Sequence, residues 1–351
     1  ICEGLVGSEM CIRDSINTRG FSTIDNSGFV QLVDGMDNAA PGLNFSAGNL
    51  VGINEIDIQS VELLPGAASA LYGANAVKGI MLMNSKSPFD FPGFSAYIKS
   101  GVTSSDNGGD NSYYDAAVRM AKNWNDKVAL KAVVSIVEGT DWLAGDYRDR
   151  NLIGGGETPL TIEEQSFLPG YNGVNVYGAI AQTLDMTSNF ISGVIPVFQQ
   201  QGLLNAAQAA QATAIFQNFA PNYFGMQTIR NTGYKEVELH DGGTSSFKID
   251  LAAHYRIDGN KELIWNSKIG SGNTIYQATN RNNLKNFQLQ QHKIEYKTPK
   301  LTVRAYTTIE DSGNTHDMFF LGARVANAQP GGIPGWFTQY GTAYFLSLIH
   351  I

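Results

Sequence analysis

The chain has 351 residues, with 24 Lys and Arg against 32 Asp and Glu, a net charge of −8. That acidic balance, with no Lys/Arg run, argues against a nucleic-acid partner. Its 38 glycines suit a chain of strands and turns, and no run of eighteen apolar residues offers a transmembrane helix, although barrel strands escape that test.

In chain order, the segment 16–88 reads as small mixed α/β. Phe29 to Val33 is a short β-prone run stopped by the turn pair Asp34-Gly35. A loop rich in Asn, Gly and Pro follows. Asn54 then reads as a helix N-cap, with Glu55 and Asp57 in the first turn, where acids suit the dipole. Ile58 to Leu64 alternates as a strand and ends at Pro65-Gly66. Ala67 to Tyr72 reads as a short helix stopped by Gly73, and Gly79 to Asn84 as a last strand.

After Pro88 the period is two. Phe94, Ala96, Ile98 and Val102 share one face of a strand. Tyr114, Ala116, Val118 and Met120 share another, opposite Asp115, Ala117 and Arg119. Asn123 to Asp126 turns the chain, and Val128, Leu130, Ala132, Val134 and Ile136 oppose Lys131 and Ser135. Residues 139–244 interrupt the alternation with a loop rich in Gly, Asn and Tyr, in which 199–218 reads as helix. The alternation resumes at Phe247, with Lys248, Asp250, His254 and Arg256 on the polar side. Leu263, Trp265 and Ile269 then oppose Glu262, Asn266 and Lys268. Phe287 to Lys297 is weaker, with polar residues on both faces. Leu301 to Ile309 closes the series, with Arg304 on its polar side.

Strands of about nine to eleven residues can cross a bilayer at a barrel tilt. Very short turns on one side and one long connection on the other fit an outer-membrane barrel. A soluble sandwich alternates too, so alternation alone leaves both open.

Two stretches weigh on that choice: Arg19-Gly20-Phe21 with Gln31-Leu32-Val33-Asp34-Gly35-Met36-Asp37, and Ile56 through Gly73 with its Leu64-Pro65-Gly66-Ala67 centre. With Gly79 and Ser85-Lys86 they resemble the plug domain of TonB-dependent outer-membrane receptors, close to the SusC/RagA-like group. Tyr171 to Gly178, Thr232 to Glu236 and Arg304 to Thr308 look like barrel segments of the same receptors. The resemblance implies an α+β plug domain followed by an antiparallel transmembrane β-barrel, here about seven of about 22 strands. It implies the cell outer membrane as location and TonB-dependent active uptake of a bulky nutrient (glycan, peptide or chelate), with the plug gating the lumen. Implied partners are the inner-membrane TonB complex, acting through an N-terminal segment, a surface lipoprotein, and outer-membrane lipid. Rival readings are an outer-membrane receptor for signalling or adhesion, and a soluble secreted β-sandwich enzyme.

Seven strands leave two unpaired edges that lipid does not tolerate, so a fragment is expected. The ends fit that expectation. Glu9 to Asp14 translates from GAG-ATG-TGT-ATA-AGA-GAC, which resembles the end of a transposase sequencing adapter. Leu346 to Ile351 translates from its reverse complement. The expected organisation is therefore adapter at 1–15, plug at 16–88, wall at 89–345 with its external loop at 139–244, and adapter at 346–351. Both cysteines, Cys2 and Cys11, fall in the first of these, so no disulfide argument applies.

Catalytic signatures are absent: no G-x-S-x-G, H-E-x-x-H, Walker A or G-x-G-x-x-G. His240, His254, His292 and His316 have no metal-ligand spacing. Asp34 and Asp37 read as turn acids, and Gly154-Gly155-Gly156 as a loop. No enzyme, cofactor or metal site is expected. Under the plug reading, Arg19, Asp34 and Glu62 are the candidate gating charges, and Arg119, Lys131, Lys248, Arg256 and Arg304 their candidate wall partners. Trp142, Tyr147, Tyr171 and Tyr177 of the long loop, with Phe219 and Tyr223, are candidate ligand contacts.

Overall fold

The computed structural model describes residues 28–43, 45–46, 50, 52–66, 72, 76–150, 170–185, 188, 190–223, 226–277 and 280–349. The chain divides into two compact units, Ile1–Leu143 with His240–Asp317, and Ala144–Leu239 with Met318–Ile351.

The first unit begins with β1 (Phe29–Val33) and β2 (Met36–Asp37), joined by a tight hairpin. Asp34 and Gly35 both have positive φ, 50° and 77°, as an Asp-Gly hairpin turn requires. A two-residue pair, β3 (Ala39–Ala40) and β4 (Phe45–Ser46), follows, then β5 (Ile58–Pro65) and β6 (Gly79–Ser85). The four-stranded sheet has the order β2-β1-β6-β5, with β1 parallel to β6 and the other pairs antiparallel. Val30, Ala76 and Ile80 pack in one core cluster, and Val33, Ile53 and Met83 in another.

From Gly93 the chain builds a wall: β7 (Gly93–Ser105), β8 (Gly109–Trp124) and β9 (Val128–Thr140). Asn125 and Asp126, both at positive φ, turn β8 into β9. After the second unit's four strands, β10 (Val176–Tyr177), β11 (Ala181–Asp185), β12 (Met226–Arg230) and β13 (Tyr234–Lys235), come β14 (Gly243–Asp258), β15 (Lys261–Gln277), β16 (Arg281–Lys297), β17 (Thr302–Asp311) and β18 (His316–Asp317). The sheet runs β17-β16-β15-β14-β9-β8-β7, all antiparallel, with β18 pairing the far end of β16. Turns at one end are two to four residues long. The 141–242 segment joins β9 to β14 at the other end.

The wall is polar where a soluble sheet is apolar. Asp115, Arg119, Lys131, Ser135, Asp250, Lys268, Lys293 and Glu295 are buried on one face. The other face exposes Phe94 at 67%, Ile98 at 84%, Val102 at 72% and Met120 at 58%, with Leu130, Val134 and Phe247. These exposures invert the usual rule for a sheet in water and match a sheet whose solvent on one side is lipid.

The second unit contains β10 (Val176–Tyr177), β11 (Ala181–Asp185), β12 (Met226–Arg230) and β13 (Tyr234–Lys235), paired as β10 with β13 and β11 with β12. Its longer helices are Ala206–Tyr223, Met318–Ala328 and Gly332–Ile349. Val194, Ile195, Phe198 and Ala209 form one core cluster, and Ile229, Ile333 and Phe337 another. No helix among the described residues is long and apolar enough to cross a membrane.

Several expectations change. Asn54 caps no helix: Glu55–Asp57 is a single 3-10 turn, and the Asn54 side chain instead accepts a hydrogen bond from Ser135. The stretch Phe287 to Lys297 lies within a full strand, because its two polar faces have different partners. The connection 139–244 is folded, with its helix displaced to Ala206–Tyr223 by the break at Gly202. Beyond the last strands, where the sequence reading assigned no element, Met318–Ala328 and Gly332–Ile349 are helical. The expected helix Ala67 to Tyr72 lies, except for Tyr72, outside the described residues.

Candidate functional site

The small sheet meets the polar face of the wall through buried ion pairs, and two carboxylates carry most of the contact. Asp34 sits at the tip of the β1–β2 hairpin. The Nζ of Lys268 on β15 is 2.9 Å from its carboxylate and 2.6 Å from that of Asp250 on β14. The amide of Ser85 donates to Asp34 Oδ1 at 2.8 Å, tying the hairpin to β6. Burial alone would push the Asp34 carboxyl up, but the Lys268 and Lys293 charges and the Ser85 amide hold it well below the usual carboxylate range. The same hairpin offers backbone oxygens. Lys293 donates to Asp34 O at 3.0 Å and Arg304 to Gly35 O at 3.0 Å, with Arg304 also 2.6 Å from Glu295. A side chain on Gly35 would displace the Arg304 guanidinium, the movable end of that side chain, and it is the positive φ that requires glycine.

Asp57 forms the second contact. Arg119 Nε of β8 donates to Oδ1 at 2.7 Å and Lys131 Nζ of β9 to Oδ2 at 2.6 Å, all three side chains being buried. Burial pushes the Asp57 carboxyl up, against the pull of Lys131 and Arg119. Both cations also hold the passage from sheet to wall. Lys131 donates to Ser85 Oγ and Lys86 O, and Arg119 to Phe91 O. Arg256 lies 3.8 Å from the centre of the Phe89 ring in the same passage. At the opposite end of the interface an apolar cluster of Ala40, Leu50, Leu284, Phe287 and Leu289 joins β3 and its neighbours to β16. A cavity of about 1070 Å³ separates the two layers beside the hairpin, bordered by Asp34, Asp37, Glu262, Lys293, Glu295 and Arg304.

Of the candidate gating charges, Asp34 is in the interface. Arg19 lies outside the described residues. Glu62 is exposed on β5 and joins no ion pair among the described residues. Of the proposed wall partners, Arg119 and Lys131 meet Asp57, not Asp34, and Arg304 meets a backbone carbonyl. Arg256 stacks on Phe89, and Lys248 is buried on β14. Asp57 and Lys268 were not singled out. Their signal was available: Asp57 is an acid inside the plug-like motif, and Lys268 lies on the same inward row as Asn266.

The loop aromatics are engaged with their own surroundings. Arg281 lies 4.7 Å from the Trp142 ring centre and donates to Trp142 O at 2.9 Å. Within the second unit, Tyr171 donates to Tyr147 O at 2.6 Å, and Lys235 lies 5.4 Å from the Tyr147 ring centre. Burial pushes the Tyr171 hydroxyl up to about 12, and the Tyr147 hydroxyl is raised by the same cause. Tyr177 is buried and donates at 2.8 Å to the fully buried Glu236, which also accepts from the amide of Ala144. The side chains of Phe219 and Tyr223 lie outside the described residues. Among the described residues, no group of three or more His, Cys, Asp or Glu is placed to hold a metal ion.

A family model described as the TonB-dependent receptor plug domain matches residues 6–80. No curated protein matches the chain. Among solved structures, the siderophore receptor PirA from Pseudomonas aeruginosa is similar at 9% identity and a TM-score of 0.40, over 83% of this chain and 33% of that one. A ferric enterobactin receptor mutant from Pseudomonas aeruginosa, in complex with enterobactin, is similar at 11% identity and 0.39, over 81% and 33%. The copper transporter OprC is similar at 12% and 0.37, over 81% and 30%. The chain thus spans about a third of the length of these structures.

Proposed function

We propose active uptake, driven through TonB, for a chain that carries a TonB-dependent receptor plug, a domain of outer-membrane transporters rather than enzymes, ahead of an antiparallel, barrel-like wall. Receptors with this plug reside in the outer membrane. The cargo is a bulky nutrient, a glycan, peptide or chelate, and the subgroup is the SusC/RagA-like one, with a surface lipoprotein as external partner. The plug occupies 16–88 and the wall segment lies within 89–345, with the flanks 1–15 and 346–351 foreign to the receptor. Trp142 of the first unit and, separately, Tyr147 and Tyr171 of the second are the loop positions for cargo contact. Tyr177, buried against Glu236, steadies the second unit's loop from within.

The inverted wall supports this reading best. An apolar outward face fits lipid, and the charged inward face is matched by Asp34 and Asp57 of the plug. Arg19, Asp34 and Glu62 are the proposed gating charges, joined now by Asp57. Removing either partner of such a buried pair strands a charge. Where water reaches the pairs along the cavity beside Asp34, each is worth only the small value of a hydrated ion pair. Pulling the N-terminal side of the plug opens the hairpin contact first, because β1 and β2 precede Asp57 in the chain. An open sheet cannot stand in lipid with two bare edges, so further strands complete the barrel.

The test is uptake of labelled oligosaccharide, oligopeptide and ferric-chelate probes by cells carrying the barrel-completed receptor, with and without a working TonB complex. Accumulation of one class only when TonB works supports the proposal. Equal accumulation without TonB, or none of any class, contradicts it.

A further inference from the structure

The chain as a whole is acidic, with a net charge of −8, but the inward face of its wall is not. The buried wall cations Arg119, Lys131, Lys248, Lys268 and Lys293 stand against the buried acids Asp115, Asp250 and Glu295. The plug supplies anions to this face. Three cations on neighbouring strands, Lys268 of β15, Lys293 of β16 and Arg304 of β17, converge on the hairpin tip Asp34-Gly35. Lys268 takes the Asp34 carboxylate, and the other two take backbone oxygens. The wall gives these three cations only two acids of its own. Asp250 is 2.6 Å from Lys268, and Glu295 is 2.6 Å from Arg304 and 3.5 Å from Lys293. The Asp57 seat is more one-sided, since Arg119 and Lys131 make no ion pair with a wall acid among the described residues.

A displaced hairpin therefore leaves an excess of positive charge on the wall, and a buried cation stripped of its anion is costly. The room beside the seat suits a solute. The cavity of about 1070 Å³ bordered by Asp34, Lys293 and Arg304 is as large as the upper end of ligand pockets, roughly 300–1,000 Å³. Most of its acids are already engaged. Glu262 meets His254 at 2.7 Å, Asp37 accepts from the Ala39 amide at 2.9 Å, and Glu295 serves the two cations above. Asp90, also on its border, is exposed. Two of its cations, Arg256 and Lys297, make no ion pair among the described residues. A passage lined in this way concentrates and passes anions, as Lys and Arg do in anion-selective pores.

We propose that Lys268, Lys293 and Arg304 form a carboxylate seat on the uptake path, held by Asp34 at rest and taken by a carboxylate of the cargo once the hairpin has left. The cargo is then acidic, because the group it replaces is a carboxylate and the vacated seat keeps one uncompensated positive charge. The inference rests on the uptake reading above and adds the chemical class of the cargo. Uronate-containing glycans, acidic peptides and hydroxycarboxylate chelates share that chemistry, and matched probes separate them.

The test uses cells carrying the barrel-completed receptor, with and without a working TonB complex. The probe pairs are trigalacturonate and neutral galactotriose, triglutamate and triglutamine, and ferric citrate and a neutral ferric trihydroxamate. Heat-modifiable migration reports, separately, that each variant is assembled in the membrane. In one pair, TonB-dependent uptake of the acidic member should exceed that of the neutral one by about tenfold or more, the scale of one hydrogen bond to a charged group. Lys293→Gln leaves the Lys268–Asp250 and Arg304–Glu295 pairs whole. It should raise KM for the acidic probe by a similar factor with neutral uptake unchanged, and Lys293→Arg should restore it. Lys297→Gln, at an exposed position on the cavity border, should lower acidic uptake by about two- to threefold, and it carries the test if Lys293→Gln does not assemble. Equal uptake of both members of every transported pair, or acidic uptake unaltered by the assembled variant, overturns the proposal and leaves TonB-driven uptake standing. No TonB-dependent uptake of any probe overturns the uptake reading and this inference with it.

Discussion

Lys131 of the wall and Asp57 of the plug face each other at 2.6 Å, both buried, with Arg119 completing the carboxylate on its other side. Two cations around one dry carboxylate leave little tolerance for losing the anion. Asp57→Asn should weaken plug seating by about 3–5 kcal/mol, the cost of stranding buried charge. Combining it with Lys131→Met should restore part of the loss, since one stranded cation is then removed. Urea dependence of plug protection from protease, in wild type and the two variants, measures both steps.

Asp34 gives a pH prediction whose sign is fixed by its depressed carboxyl. Its stabilising contribution is complete above the unfolded aspartate value, about 3.9, and is lost only as pH falls through the lower folded value. The stability difference between wild type and Asp34→Asn should therefore be constant from pH 8 to about 5. It should shrink only below the ordinary carboxylate range. Hydrogen exchange of the β1–β2 hairpin against pH reads this difference. A difference that disappears between pH 7 and 5 would contradict it.

Gly35→Ala should act locally. The left-handed backbone disfavours a side chain by roughly 1–2 kcal/mol, and the added carbon meets the Arg304 guanidinium. Faster hydrogen exchange at Asp34 to Asp37, with unchanged exchange in β8 and β9, is the expected pattern.

Val134 faces outward near the middle of β9, flanked in the chain by inward Val133 and Ser135. Val134→Arg should cost about 2–4 kcal/mol of barrel stability, as a cation on the lipid face does. Unfolding in lipid vesicles measures it. A soluble sheet would absorb the same change on an exposed position with little effect.

In the second unit, Tyr177→Phe removes the hydroxyl from which the fully buried Glu236 accepts a hydrogen bond at 2.8 Å. The expected loss is about 1–3 kcal/mol. It should appear as faster exchange around Val176–Tyr177 and Glu236–Leu239.

The wall's two faces were legible because strand alternation is a strict period of two: Arg119 and Lys131 fall inward by counting alone. Asp34 was legible as a turn acid within a plug-like motif. Asp57 was not, because a local rule (an acid in the first turn after an N-cap) explained it without a partner. The structure leaves that turn three residues long and sends the carboxylate to the wall. Lys268 was visible as inward-facing, but its pairing with Asp34 depends on how the hairpin tip docks, which strand periodicity does not encode. The helix Gly332–Ile349 was not anticipated, because Gly331, Gly332, Pro334 and Gly335 at its start are weak helix formers. Here Pro334 sits in the first turn, where a missing amide costs nothing.

The central claim is that the wall separates lipid from plug, and a nitroxide scan along Val128–Thr140 in the membrane-embedded, barrel-completed receptor tests it most directly. Labels at 130, 132, 134 and 136 should be relaxed by oxygen and not by a water-soluble nickel chelate. Labels at 129, 131, 133 and 135 should be shielded from both until the plug is deleted. Nickel access at the even positions, or loss of the two-residue period, would contradict the account.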